Sequence, residues 1–388
     1  MQDFIVVGES RALIAQALLA LHVHGTARCF VVCGRYCGML RLSRLCGRQV
    51  RVDFYGADDE RFVAVVNRHM AAHPDAIVVP ADCEGTRMIN RVRARLRAPI
   101  MPAPDAPALA RMDDKWRFHQ FCIAHGMPVP PAQCYVDKHA IAFGDAQRQF
   151  GLPFVVKPVN QAVSTGVVIV QSQAQFQAMI ADNDAYRYAP LIVQRFVAGT
   201  DVSINLLSLH GTVAAMSIQR PIGSTVHFFA HAELEAIGHA IAGASGYHGL
   251  MNIDARIEEG SGKVYLFESN PRVWRSMAAS VWCGVNFVGK CVERVANDLS
   301  QQTVACGAEM PPAVAWPGMP PSTARHADTA TPLCLTAGKA DVYYHPALRP
   351  AQWLHVFFNR GRQGRMARLM MADPYILVSS VRPACRTV

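Results

Sequence analysis

The sequence predicts a multidomain chain of mixed α/β and α+β class. Three observations predict it. The length, 388 residues, exceeds one ordinary domain. The first hundred residues alternate short apolar runs with helical segments, the pattern of a parallel sheet with helices on both faces. A later region gathers several long alternating strands around few helices. At 51% hydrophobic and 17% charged, the composition supplies packed cores. No run reaches the roughly 18 apolar residues that a membrane helix needs. The opening MQDFIVVGES lacks a basic segment before its apolar run, so a cytoplasmic protein without a secretory signal is expected.

In order along the chain, residues 4–7 form an apolar strand, Gly8 turns, and Ser10 caps a helix over 11–21. Strands follow at 29–33 and 76–80, then a helix over 86–96. This Rossmann-like unit spans residues 1–106 and contains no G-x-G-x-x-G, so a dinucleotide site is not supported. A proline-rich linker at 102–107 leads to a helix over 108–125. Strands at 133–136, 154–158 and 167–171, with helices over 138–150 and 172–181, make a small α+β unit, residues 107–188. A larger lobe, 189–305, carries strands at 191–194, 201–207, 213–219, 251–257 and 264–268 and a helix over 234–244. Residues 306–332 are rich in proline and small residues. The extension to 388 holds apolar runs at 353–358 and 375–378, so it is expected to fold onto the body.

The twelve cysteines include no C-x-x-C pair; Cys29, Cys33 and Cys37 are read as reduced, buried thiols rather than a zinc site. Formal net charge is +9. Five arginines lie between Arg87 and Arg97, but they are spread around the helix with no interleaved aromatics, so a solvated face is expected rather than a nucleic-acid surface. The positive balance suits a partner set of small anionic molecules.

The chemistry concentrates in Asn252-Ile253-Asp254-Ala255-Arg256 and Phe267-Glu268-Ser269-Asn270-Pro271-Arg272. The intervening Glu258-Glu259-Gly260-Ser261-Gly262-Lys263 reads as a hairpin turn, so the two segments are adjacent antiparallel strands. Alternation places Glu268 and Asn270 on one face. Two carboxylates and an amide oxygen are the hard oxygen ligands that Mg2+ takes, and Arg272 beside them can stabilise charge on a transferring phosphoryl group.

Glu268-Ser269-Asn270-Pro271-Arg272 resembles the metal-binding E-x-N-P-R signature of the ATP-grasp superfamily, in the branch of the carbamoyl phosphate synthetase large subunit; Val273-Trp274-Arg275-Ser276 continues the likeness. Other segments fall in that family's order: Asp114-Lys115, Val155-Val156-Lys157-Pro158, Ser164-Thr165-Gly166-Val167, and Gln194-Arg195-Phe196 followed by Gly199-Thr200-Asp201. The resemblance covers about residues 1–300. It implies a Rossmann-like domain preceding an ATP-grasp fold of lid and large lobe. It implies ATP held by Lys115 and Lys157 on its phosphates, by a covering loop at Ser164, Thr165 and Gly166, by Gln194 and Phe196 at adenine and by Asp201 at ribose. Asp254, Glu268 and Asn270 would hold the metal, two Mg2+ ions with Mn2+ able to substitute, and Arg272 and Arg275 would act in catalysis. Arg220 and His227 are substrate candidates. The family commonly has glutamate where this chain has Arg195, so that side-chain role is not carried over.

The function implied is ligation of a small-molecule carboxylate, activated as an acyl phosphate, to an amine, with release of ADP and phosphate. A thiol or hydroxyl acceptor, and a nucleotide-binding protein without turnover, are the alternatives. Neither nucleic acid nor membrane is expected as a partner.

Overall fold

The computed structural model describes residues 1–162, 164–307, 332–340, 356 and 361–376. The N-terminal unit is a parallel sheet of β1 (Gln2–Gly8), β2 (Ala27–Cys33), β3 (Arg48–Arg51) and β4 (Ile77–Pro80), ordered β3-β2-β1-β4. Phe4, Ile5, Val6 and Val7 are all buried, because helices cover both faces. Phe4 and Val6 pack with α1 (Arg11–His24), while Ile5 and Val7 pack with α2 (Asp59–Ala72) and α3 (Cys83–Val92). Cys29, Cys33 and Cys37 are free thiols inside this core. Ser10 stands at the N-cap of α1, but its hydroxyl caps nothing. Instead the Asp82 carboxylate accepts the backbone N–H groups of Glu9 (2.7 Å), Ser10 (2.5 Å) and Gly85 (2.8 Å), joining the starts of α1 and α3.

The helix expected over 108–125 is two helices, α4 (Ala106–Asp113) and α5 (Lys115–Ala124). Asp114 interrupts them in an extended conformation and caps α5 through Trp116 N and Arg117 N. Their residues Met112, Phe118, Phe121 and Cys122 share a core with the large lobe. The small unit is an antiparallel sheet of β5 (Ala132–Tyr135), β6 (Phe154–Pro158), β7 (Val168–Val170) and β8 (Leu191–Arg195), ordered β5-β8-β6-β7, with α6 (Phe143–Phe150) against it. Both boundaries therefore differ from the expected 107–188: α4 and α5 pack on the large lobe, and β8 belongs to the small sheet. The expected helix over 172–181 is one α-turn, α7 (Gln173–Phe176), followed by a π-helical turn, Gln177–Ala181.

The large lobe is built on β9 (Gly199–Leu209), β10 (Thr212–Ile222), β11 (Thr225–Phe229), β12 (Gly249–Glu258) and β13 (Val264–Asn270). With β15 (Ala337–Ala340) the order is β13-β12-β9-β10-β11-β15, and β14 (Leu333–Leu335) lies beside β10. One face packs on α8 (Ala232–Ser245). The other face shares a core with the N-terminal unit through α9 (Met277–Cys283) and α10 (Phe287–Gly307). A C-terminal helix, Arg362–Ala372, buries Met366 and Met370 in that same core, as expected for a folded extension. The runs at 353–358 and 375–378 lie largely outside the described residues; of them Val356 and Tyr375 are buried. Among the described residues no helix is long and apolar enough to cross a membrane.

Candidate active site

A cavity of 1210 Å³ lies where the N-terminal unit, the lid and the large lobe meet. It reaches the carboxyl ends of β1 and β4, through Glu9, Ser10 and Asp82. The chain leaves β1 toward β2 and leaves β4 toward Ile100 on the opposite side, a divergence at which α/β folds commonly bind ligands. The cavity is lined by seven of the expected site residues: Lys115, Ser164, Asp254, Glu268, Asn270, Arg272 and Arg275.

The floor is a ladder of polar side chains across three strands. Asp254 on β12 stands opposite Glu268 on β13, and Asn252 opposite Asn270. On the other side of β12, Ser203 and Asn205 of β9 stand opposite Asp254 and Asn252. Asn270 Nδ2 donates to Asn252 Oδ1 (3.1 Å) and to Asp254 Oδ2 (3.2 Å). Ser203 Oγ donates to Asp254 Oδ1 (3.0 Å), and Arg272 Nη2 donates to Asn270 Oδ1 (2.6 Å). A bulge between Asp254 and Ala255 leaves Phe267 without a cross-strand partner. Its carbonyl turns to the lysine behind the floor, accepting from Lys157 Nζ at 3.3 Å.

The charged side chains of this group lie close enough to shift one another's protonation. Burial and the neighbouring Glu268 carboxylate raise the Asp254 carboxyl above its ordinary range. Burial pulls the Lys157 ammonium down to about 8, opposed by the attraction of Glu268. Lys115 Nζ sits 3.1 Å from Glu268 Oε2 and donates to the Gln161 carbonyl at 2.5 Å, so it joins β13 to the loop that follows β6. Two carboxylates close enough to repel, with an amide oxygen beside them, form a donor set that a hard divalent ion fits. Asp254, Glu268 and Asn270 are the residues that would hold it.

Of the expected covering-loop residues, Ser164 reaches the cavity, with a left-handed φ of 55°. Gly166, at φ 75°, has no room for a Cβ, which would lie 2.6 Å from the Tyr188 ring and 2.8 Å from Pro158. Thr165, Lys157, Gln194, Phe196 and Asp201 do not line the cavity. Gln194 is buried in the small sheet. Arg256 ties the adjoining segment to the floor: its guanidinium lies over Phe196 (5.9 Å) and Phe267 (5.6 Å), and pairs with Asp201 at 2.6 Å. The Asp201 carboxylate thus has a cationic partner of its own.

Arg220 and His227 are not brought to the cavity. They stand opposite each other on β10 and β11, with Arg220 over the Phe229 ring at 5.4 Å. The neighbour of Arg220, Gln219, lines the cavity instead, since successive strand residues point to opposite faces. Gln219 and Ser203 line the cavity and were missed by the sequence reading, while Asn252 and Trp274, quoted within its motifs, were given no role. Strand alternation alone, counted from Glu268 through the ladder, is the signal that finds Asn252 and Ser203. Arg87, Arg91 and Arg95 of the arginine-rich segment are paired with Asp113, Asp59 and Glu60, so an acid answers each of these three.

The succession of parallel sheet, small antiparallel sheet and large lobe is that of the ATP-grasp fold. The comparisons agree. Residues 187–312 match the family model described as ATP-grasp in the biosynthetic pathway with Ter operon, and residues 124–236 match that of the D-Ala D-Ala ligase C-terminus. A D-alanine–D-alanine ligase of Coprothermobacter proteolyticus is 28% identical over 100 residues, 25% of this chain and 32% of that protein. The arginine-specific carbamoyl phosphate synthase large chain of Bacillus subtilis is 23% identical over 209 residues, 50% of this chain and 20% of that one. The chain thus spans about a third of the first relative's length and a fifth of the second's. The crystal structure of N5-carboxyaminoimidazole ribonucleotide synthetase from Thermotoga maritima shares the fold, with a TM-score of 0.55 at 15% identity and coverage of 76% of both chains. The chain has the ATP-grasp fold.

Proposed function

We propose that this protein is an ATP-dependent ligase that activates a small carboxylate as an acyl phosphate and joins it to an amine. The observation that carries this reading is the ladder of Asp254, Glu268, Asn252 and Asn270, faced by Lys115 and backed by Lys157. Its anionic groups suit Mg2+, as two ions replaceable by Mn2+, which would neutralise triphosphate charge during transfer. Lys115 and Lys157 hold phosphate oxygens by charge, and the loop carrying Ser164, Thr165 and Gly166 covers them. Gln194 and Phe196 adjoin adenine. Asp201 meets the ribose hydroxyls, with Arg256 fixing its carboxylate. Arg272, oriented by Asn270, stabilises the phosphoryl group as it moves from ATP to the substrate carboxylate oxygen. In the second half-reaction the amine nitrogen forms the new C–N bond. The acyl carbon–oxygen bond breaks, and phosphate departs with the electron pair; the proton lost by nitrogen passes to phosphate or solvent. No side chain is acylated.

The test is a product assay with pairs of small carboxylates and amines. ADP and phosphate are expected, with a hydroxamate when hydroxylamine replaces the amine. AMP and pyrophosphate would rule out the acyl phosphate. Products with thiols or alcohols alone would move the reading to a different acceptor, and nucleotide binding without turnover to a non-catalytic protein.

A further inference from the structure

The N-terminal unit has a cavity of its own, of 350 Å³, at the carboxyl ends of β2 and β3. It shares only Glu9 with the lining of the main cavity. The carboxyl edge of a parallel sheet is where α/β folds hold ligands, and pockets of roughly 300–1,000 Å³ take small molecules. Three kinds of group line this one. The first is cationic. Arg35 follows β2 and Arg51 ends β3; both are exposed, and no carboxylate among the described residues pairs with either. Gly38 leaves the space that the Arg51 guanidinium occupies, since a Cβ there would lie 2.7 Å from Nη2. The second kind is aromatic. Tyr36 is 67% exposed and Tyr55 71%, with the Arg35 guanidinium 4.6 Å from the centre of the Tyr36 ring. The third is anionic. Glu9 accepts the Tyr55 hydroxyl at 2.6 Å, and Asp58 accepts Asp53 N at 2.9 Å and pairs with Arg61 at 3.4 Å. Asp53 Oδ1 accepts Tyr55 N at 2.8 Å, while its Oδ2 accepts no hydrogen bond from the described residues.

Together these groups complement a nucleoside monophosphate. Two guanidiniums without counter-ions match a phosphate dianion, to which each can give paired hydrogen bonds. An open tyrosine ring stacks on a planar base. A carboxylate oxygen left free accepts from the hydroxyls of a sugar. Phosphate alone would leave the rings and Asp53 unanswered, and a nucleoside alone would leave the guanidiniums so. The helix starts that would hold a dinucleotide's pyrophosphate are closed, because the Asp82 carboxylate already accepts the N–H groups of Glu9, Ser10 and Gly85 there. We infer that this cavity is a second ligand site, which takes a ribonucleoside monophosphate: phosphate on Arg35 and Arg51, base against the Tyr36 and Tyr55 rings, sugar hydroxyls on Asp53. The site stands apart from the metal-binding ladder and does not depend on the ligase reading; no bond is made or broken in it.

The test is calorimetry on the full chain with AMP, CMP, GMP and UMP. At least one is expected to bind, with its nucleoside, ribose 5-phosphate and inorganic phosphate each at least about tenfold weaker. Arg35→Gln and Arg51→Gln each remove a guanidinium from an exposed position. Each should weaken that binding about ten- to hundredfold and leave the melting temperature unchanged. Tyr36→Ala, which keeps every charge, should weaken it at least about fivefold. Glu268→Gln, in the ladder, should leave it as it is. Location is read separately: a photoreactive azido analogue of the nucleotide that binds is cross-linked, and the labelled peptide is identified by mass spectrometry. Label within residues 34–61 is expected. Label confined to residues 154–201 or 252–276 would place the mononucleotide in the main cavity and overturn the inference. So would the failure of all four nucleotides to bind, or binding of phosphate or ribose 5-phosphate as tight as that of the nucleotide, which would reduce the site to a surface for anions. Full affinity in both arginine variants and in Tyr36→Ala would overturn it as well.

Discussion

Glu268 has two neighbours of opposite charge, Lys115 at 3.1 Å and the Asp254 carboxylate across the ladder, and the balance between them sets what a substitution does. Glu268→Gln keeps the shape and removes the charge. Losing the Lys115 pair costs little, because such partly exposed pairs are worth up to about 1 kcal/mol. Relieving the repulsion on Asp254 offsets it. The nucleotide-free melting temperature should therefore hold within about 4 °C. Turnover should fall by roughly two orders of magnitude or more, since one lost transition-state electrostatic contact costs about 3–4 kcal/mol. Asn270→Ala should do less harm, because a neutral ligand compensates less charge. ADP release and melting curves with and without MgATP check both, and near-normal turnover in Glu268→Gln would remove that carboxylate from the metal site. Glu268, Asn270 and Arg272 were legible because they lie within five positions of one another at one strand end, and Asp254 because a short hairpin joins its strand to theirs. Gln219 was not, because it enters the cavity from a strand about fifty positions away. Charge drew attention to Arg220, one residue out of phase.

At the scale of elements, the break at Asp114 matters more than the helices it separates. Read by periodicity, 108–125 is one helix, since its apolar positions continue across the break. What ends α4 is the Asp114 side chain, which takes Trp116 N and Arg117 N and restarts the helix as α5 with Lys115 in its first turn. Asp114→Ala should cost about 1 kcal/mol of stability. It should also raise the KM for ATP with a smaller change in kcat, because Lys115 loses its anchor; unchanged ATP affinity in a destabilised variant would confine Asp114 to a structural role. The polar edge strand β3 and the helix α2 escaped the sequence reading for related reasons. The β3 sequence Arg48-Gln49-Val50-Arg51 shows no apolar alternation at all. The face of α2 that reaches the core is the narrow set Phe62, Val63, Val66 and Met70 amid polar neighbours. Strands buried on both faces, such as β1, were legible as continuous apolar runs.

For the whole molecule, three units share one cavity, and the C-terminal helix fastens the first of them. Asp373 is fully buried, takes the Ser43 hydroxyl, and accepts Tyr375 N at 2.8 Å. Truncation at about residue 332 removes β14, β15 and that helix, uncovering the apolar side of α1 and α9. It should lower solubility and loosen acceptor selection; a soluble truncate with unchanged kinetics would show the extension to be dispensable. The division into units was only partly legible, because β8 follows the lid in sequence yet closes its sheet, and no local pattern reports which sheet a strand will join. Lys115 has a consequence at this scale as well. It is already engaged on both sides, with Glu268 and with the carbonyl of Gln161. On the proposed reading, a triphosphate at that ammonium competes with both partners, so the hold on the nucleotide and the hold on the loop draw on one charge.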